Sequence, residues 1–95
     1  MTAYIIFQES IFDQSAFEEY KKLSPKSIDA FGGRFIVRGG KIDVLEGAMP
    51  HERVVIIAFP TADAARAWHS SDDYAAAKSL RQRISDGDAI LVEGI

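Results

Sequence analysis

Arg53 to Phe59, RVVIIAF, is the most apolar run in the chain, and it restricts the fold more than any other feature. It is short, rich in β-branched residues and stopped by Pro60, which reads as a strand rather than a helix. A strand without polar alternation buries both faces, which places it at the centre of a sheet. The rest of the chain has to supply its neighbours and a covering layer.

Ala3–Glu9 is apolar and β-rich, a second buried strand. Asp13 then reads as a helix N-cap, with Phe12 and Phe17 at the two positions of a hydrophobic staple. Phe17, Tyr20, Ser24, Ile28 and Phe31 follow helical spacing, so one face of this segment packs inward. Pro25 lacks the interior N–H, so a break is expected there, with Ser24 capping a second short helix that Gly32 and Gly33 end. Arg34–Arg38 reads as a strand. Gly39-Gly40 fits a two-residue hairpin turn, because glycine accepts the positive φ of primed turns, and Ile42–Glu46 is the expected return strand.

Beyond the central strand, Thr61 caps an alanine-rich helix, ADAARAWH, that ends near Ser70. Ser70 and Asp73 have capping-box spacing for a further helix running to about Ser85, with Ala77, Leu80 and Ile84 as its buried stripe. Asp86-Gly87 turns the chain into a last strand, Asp88–Glu93. The order β-α-β-β-β-α-α-β implies one α+β domain over residues 1–95. Its economical form is a ferredoxin-like split β-α-β sandwich with an extra hairpin strand, an antiparallel sheet and helices on one face. The other face stays uncovered. A half-apolar sheet face on a chain of 95 residues calls for a partner, here a second copy.

The stretch GGRFIVRGG, residues 32–40, carries the two arginines of greatest interest. A two-residue turn pairs 38 with 41, 37 with 42, 36 with 43, 35 with 44 and 34 with 45. Strand alternation then sets Phe35, Val37, Ile42 and Val44 against the helices. Arg34, Ile36, Arg38, Lys41, Asp43 and Leu45 share the open face. Two uses of that face compete. Arg38 pairs with Asp43, or with a second subunit, for about 0–1 kcal/mol; or Arg34 and Arg38 offer guanidinium forks to a carboxylate or phosphate.

Among other side chains, His69 follows Trp68 at a helix C-terminus, where a histidine can serve as acid or base or stand exposed. Trp68 reads as a core or interface anchor. Tyr74, Lys78 and Arg81 share one helix face, as a solvated basic face or the mouth of an anion pocket. His51 stands alone in AMPHER. The two histidines lack metal-ligand spacing, and with no cysteine in the chain no metal site is expected. A net charge of −3 argues against nucleic acid and anionic membranes as partners. The N-terminus reads as a strand rather than a leader, and no apolar stretch nears the ~20 residues of a span. The expected compartment is the cytoplasm.

GGRFIVRGG, VLEG, RVVIIAFP, the A-x-A-W helix and DYAAAKSLR, in that order, closely resemble the family known as domain of unknown function 1330, from about Tyr4 to Gly94. The resemblance implies a subunit of the dimeric α/β barrel superfamily, in which two sheets face each other and enclose a barrel. Relatives by fold include cofactor-free monooxygenases, isomerases, dehydratases and haem enzymes, so fold does not settle function. The chain departs from the family pattern with His69 in place of a tyrosine and with SSDDY where a proline is usual.

The functional expectation is a homodimeric small-metabolite binder or cofactor-independent enzyme. Its pocket would lie between the Arg34/Arg38 sheet face and the barrel wall, and its ligand would be anionic. Arg38 would orient the acidic group, Trp68 or Tyr74 would form a wall, and His69 would be the acid or base. The competing expectation is a structural or regulatory homodimer with a filled barrel.

Overall fold

The computed structural model describes residues 1–95. Its elements are β1 (Ala3–Ile11), α1 (Gln14–Ala30), β2 (Arg34–Arg38), β3 (Arg53–Phe59), α2 (Ala62–His69), α3 (Asp72–Ile84) and β4 (Ser85–Glu93). The sheet order is β2-β3-β1-β4 with every neighbouring pair antiparallel. This is the ferredoxin-like split β-α-β order, and apolar β3 sits inside the sheet beside β1.

Alternation along β1 sends Ala3, Ile5, Phe7 and Glu9 to the buried face, where they oppose Phe59, Ile57, Val55 and Arg53 of β3. Phe17, Tyr20 and Ile28 of α1, Ala65 and Trp68 of α2, and Tyr74, Ala77 and Ile84 of α3 close over that face. Each helix begins on a side-chain cap. Asp13, Thr61 and Ser71 accept the backbone N–H of Ala16, Ala64 and Tyr74 respectively. The other sheet face carries Tyr4, Ile6, Val54, Ile56, Ile90 and Val92 by register and has no helix over it. No helix is long and apolar enough to cross a membrane.

Several expectations need correction. Pro25 does not break α1, which runs unbroken to Ala30. Ser24 is therefore no cap; it is buried, and its carbonyl accepts the Ser27 hydroxyl at 2.7 Å. Phe12 is exposed, so no staple forms. Ser71 rather than Ser70 caps α3, and Ser70 ends α2. The last strand starts at Ser85 instead of Asp88.

The extra hairpin strand is absent. Residues 41–52 contain no strand, and β2 pairs with β3. Packing decides this outcome: β3 offers β2 a row of β-branched partners, whereas Leu45 in the alternative strand is 87% exposed. Gly39 keeps its positive φ of 72°, but it serves to lead the chain away, donating its N–H to the Val54 carbonyl at 2.9 Å.

Candidate functional site between the helices and the sheet

The register of β2 changes partway. Arg34 and Phe35 lie opposite Ala58 and Ile57, whereas Val37 and Arg38 lie opposite Ile56 and Val55. Ile36 is therefore an extra residue, a β-bulge, and the chain beyond it changes faces. Arg34 stays on the open face. Val37 joins it there, and Arg38 moves to the helix side, contrary to the alternation expected for a regular hairpin. The Arg38 guanidinium carbon lies 4.2 Å from the Phe35 ring centroid, and Nη2 donates to the Lys21 carbonyl of α1 at 3.3 Å. The expected Arg38–Asp43 pair cannot form across a strand that does not exist.

On the helix side Arg38 borders a cluster of polar groups set into the core. Glu9 continues the buried stripe of β1 and is 3% exposed. Its Oε1 lies 3.6 Å from Arg53 Nε, too long for a hydrogen bond, and its Oε2 is buried without a partner. The Tyr20 and Tyr74 hydroxyls are 2.8 Å apart, joining α1 to α3. Arg81 Nε donates to Tyr74 Oη at 3.3 Å, and its guanidinium lies over the Phe7 ring. Arg53 lies over Phe17 at 4.8 Å. A side chain at Gly39 would meet only the mobile end of the Arg53 side chain, so it is the positive φ that favours glycine there.

Burial sets the protonation of this cluster. It pushes the Glu9 carboxyl above its usual range, against the pull of Arg81 and Arg53. Burial likewise raises the Tyr20 and Tyr74 phenols, which remain hydroxyls at neutral pH. The cleft between α1 and β2–β3 is lined by Glu9, Tyr20, Lys21, Phe35, Arg38 and Arg53, among others, and holds about 10 Å³, the room of a single water.

The family model described as a domain of unknown function (DUF1330) matches residues 2–95. The chain belongs to the DUF1330 family. Among solved structures, it is similar to the RPA0582 protein of unknown function from Rhodopseudomonas palustris, with 17% identity, a TM-score of 0.79, and coverage of 99% of this chain and 82% of that one. SnoaB, a cofactor-independent oxygenase from Streptomyces nogalater, is 12% identical with a TM-score of 0.70, over 99% of this chain and 93% of that one. HapK from Hahella chejuensis is 19% identical with a TM-score of 0.68, over 98% and 92%. These likenesses show a shared fold, a four-stranded antiparallel sheet with three helices. No curated protein matches the chain.

In this DUF1330 domain the five residues singled out from sequence do not share one cleft. Arg34 alone faces the open side. Trp68 is fully buried beneath the helices, stacked on Tyr74 at 4.0 Å, and its indole N–H donates to Ser27 Oγ at 3.0 Å. Tyr74 is equally buried and meets Arg81 and Tyr20, so it belongs to the polar cluster rather than to a barrel wall. His69 lies apart, lining a half-open cleft of about 280 Å³ between α2 and β4. Burial lowers its pKa below the ordinary histidine value, helped by Lys78 and Arg81.

Sequence reading missed Glu9, Tyr20 and Arg53 as site residues, and offered Arg81 only as part of a basic helix face or pocket mouth. A usable signal existed: Glu9 ends the stripe Ala3, Ile5, Phe7, and a carboxylate in phase with a core stripe calls for cationic partners. No group of three or more His, Cys, Asp or Glu side chains converges in a way that would hold a metal ion.

Proposed function

We propose that this DUF1330 domain is a small-metabolite-binding protein, with acid–base catalysis as its candidate activity. We place the site between α1 and the β2–β3 half of the sheet, one per subunit. The observation that carries this reading is the buried Glu9 carboxylate, half unpartnered, within a cluster rich in cationic side chains. Natural cores rarely leave a carboxylate oxygen unpaired without a functional reason.

Arg38, Arg53 and Lys21 line the same cleft and outnumber the single carboxylate, so the favoured ligand is anionic. Phe17 and Phe35 give it aromatic walls. Arg38 and Phe35 close the exposed edge as a stacked pair, and their rotation would open the cleft to more than one water. The Tyr20 hydroxyl, backed by Tyr74 and Arg81, supplies one donor for a developing oxyanion, and Glu9 supplies an exchangeable proton at a raised pKa. The likeness to a cofactor-independent oxygenase is consistent with chemistry run by side chains.

A thermal-shift screen of small carboxylates and phosphates tests the reading. Wild type should gain stability with at least one anion, and Arg38→Ala should lose that gain. Identical profiles for the two proteins would remove the anion site.

Homodimerisation through the open sheet face belongs to the same proposal. Ile90 and Val92 are 52% and 43% exposed on a face with no helix over it, the kind of patch that marks an interface. Sedimentation should give twice the chain mass at micromolar concentration, and Ile90→Lys should shift the mass toward that of a single chain.

A further inference from the structure

The α2–β4 cleft is separate from the polar cluster and has a clear origin in the fold. α2 has only eight residues and ends at His69, after which the chain turns into α3. Ala89 and Leu91 of the outer strand face the helix side, opposite Phe7 and Ile5, yet Ala89 is left exposed and Leu91 only half-buried. Small residues keep the gap open, with Ala65 on the helix and Ala89 on the strand. The floor is hydrocarbon from Ile5, Ala65 and Leu91, and the rim carries Arg66 and His69.

The rim groups are available for a ligand. No hydrogen bond engages the His69 ring; its backbone carbonyl accepts Lys78 Nζ at 2.8 Å, which fixes the residue without using the imidazole. Arg66 meets only Asp63, in a pair whose side chains are 63% and 98% exposed. A pair so open to water is worth little and exchanges readily. Ile5, Ala65, Arg66, His69 and Leu91 line the cleft from the helix side of the sheet, across from the apolar open face, and Ile90 is the one lining residue shared with that face.

We infer that the α2–β4 cleft is a second ligand site, taking a single-ring carboxylate whose ring rests on Ile5, Ala65 and Leu91 and whose carboxylate meets Arg66 and the His69 imidazole. Size and charge both support this occupant. A volume of about 280 Å³ falls just below the range for drug-sized ligands, which suits one ring. An apolar floor with one guanidinium and one hydrogen-bonding ring at the rim matches an amphipathic anion.

The chain has two histidines, so NMR can read the site directly. His51 contacts Ser10 and serves as an internal reference. Sodium benzoate, added to the full chain up to about 20 mM, should move the His69 Cε1–H resonance saturably and leave His51 in place. Ala89→Phe fills the cleft and should abolish the shift. Arg66→Ala, at an exposed position, should weaken apparent affinity by about twofold to fivefold, the range of an exposed ion pair. Arg38→Ala should leave the His69 response unchanged, which separates this site from the anion cleft under α1. A His69 resonance that stays fixed with benzoate, or that moves equally in wild type, Ala89→Phe and Arg66→Ala, would overturn the inference.

Discussion

Arg38 donates to the backbone carbonyl of Lys21 at 3.3 Å, and this is the acceptor that an N–H at position 25 would otherwise have used. Pro25 has no N–H to give. An interior proline and an edge-strand arginine thus answer each other across the helix–sheet boundary. Two local rules, each pointing elsewhere when taken alone, are reconciled: the helix passes through its proline, and the arginine acquires a fixed anchor on the helix side.

Pro25→Ala should therefore stabilise α1 and loosen Arg38. Proline in a helix interior costs up to about 3 kcal/mol relative to alanine, and the gain here is reduced because the Lys21 carbonyl already has a donor. An increase of about 1–2 kcal/mol in urea unfolding is expected, with a melting temperature higher by about 4–16 °C. Unchanged or lower stability would mean that the ring itself packs usefully.

Glu9 makes stability depend on pH in a direction opposite to the usual carboxylate. Its folded pKa is raised by burial, so the folded state holds the proton more tightly than the unfolded chain. The contribution is fully present below about pH 4.5 and is lost as pH rises through the folded pKa. Urea unfolding of wild type and Glu9→Gln at a series of pH values isolates it, because all other groups are shared. The advantage of wild type over Glu9→Gln should shrink as pH rises from about 4.5, and a constant difference would contradict a raised pKa.

What could be read from sequence follows the range of the interaction. Caps at Asp13 and Thr61 and the spacing of the stripe Phe17–Tyr20–Ser24–Ile28 depend on neighbours within a turn or two, and the structure agrees with them. The direction of Arg38 depends on where β2 slips against β3, and no residue near Ile36 announces that slip. The same holds for the partner of β2, which was settled by competition between β3 and a weaker local segment. Glu9 and Arg53 come together only through the pairing of β1 with β3. Their meeting point was therefore out of reach until the sheet order was known, although Glu9 carried a hint in its phase with Phe7.

The Tyr20–Tyr74 contact ties α1 to α3 deep in the core, and both rings are buried. Tyr20→Phe removes one hydroxyl and leaves the other with Arg81 alone. A loss of about 1–3 kcal/mol is expected, the cost of an unsatisfied buried polar group. Adding Tyr74→Phe should cost less than the sum of the single changes, because the second hydroxyl has already lost its partner. Strict additivity in urea unfolding would show that the two hydroxyls do not interact.

His69 should titrate below the ordinary histidine value of about 6.5, because burial disfavours its charged form and Lys78 and Arg81 of α3 add repulsion. Arg66 on its own helix adds a further positive charge at the cleft rim. The folded pKa lies below the unfolded one, so the contribution of His69 to stability is complete above about pH 6.5 and is lost as pH falls through the folded value. Lys78→Ala removes the nearer cation together with the bond to the His69 carbonyl. The midpoint of the His69 Cε1–H titration should then move up toward 6.5. A midpoint that does not move would assign the depression to burial and Arg81 and leave Lys78 with a purely mechanical part in holding the end of α2.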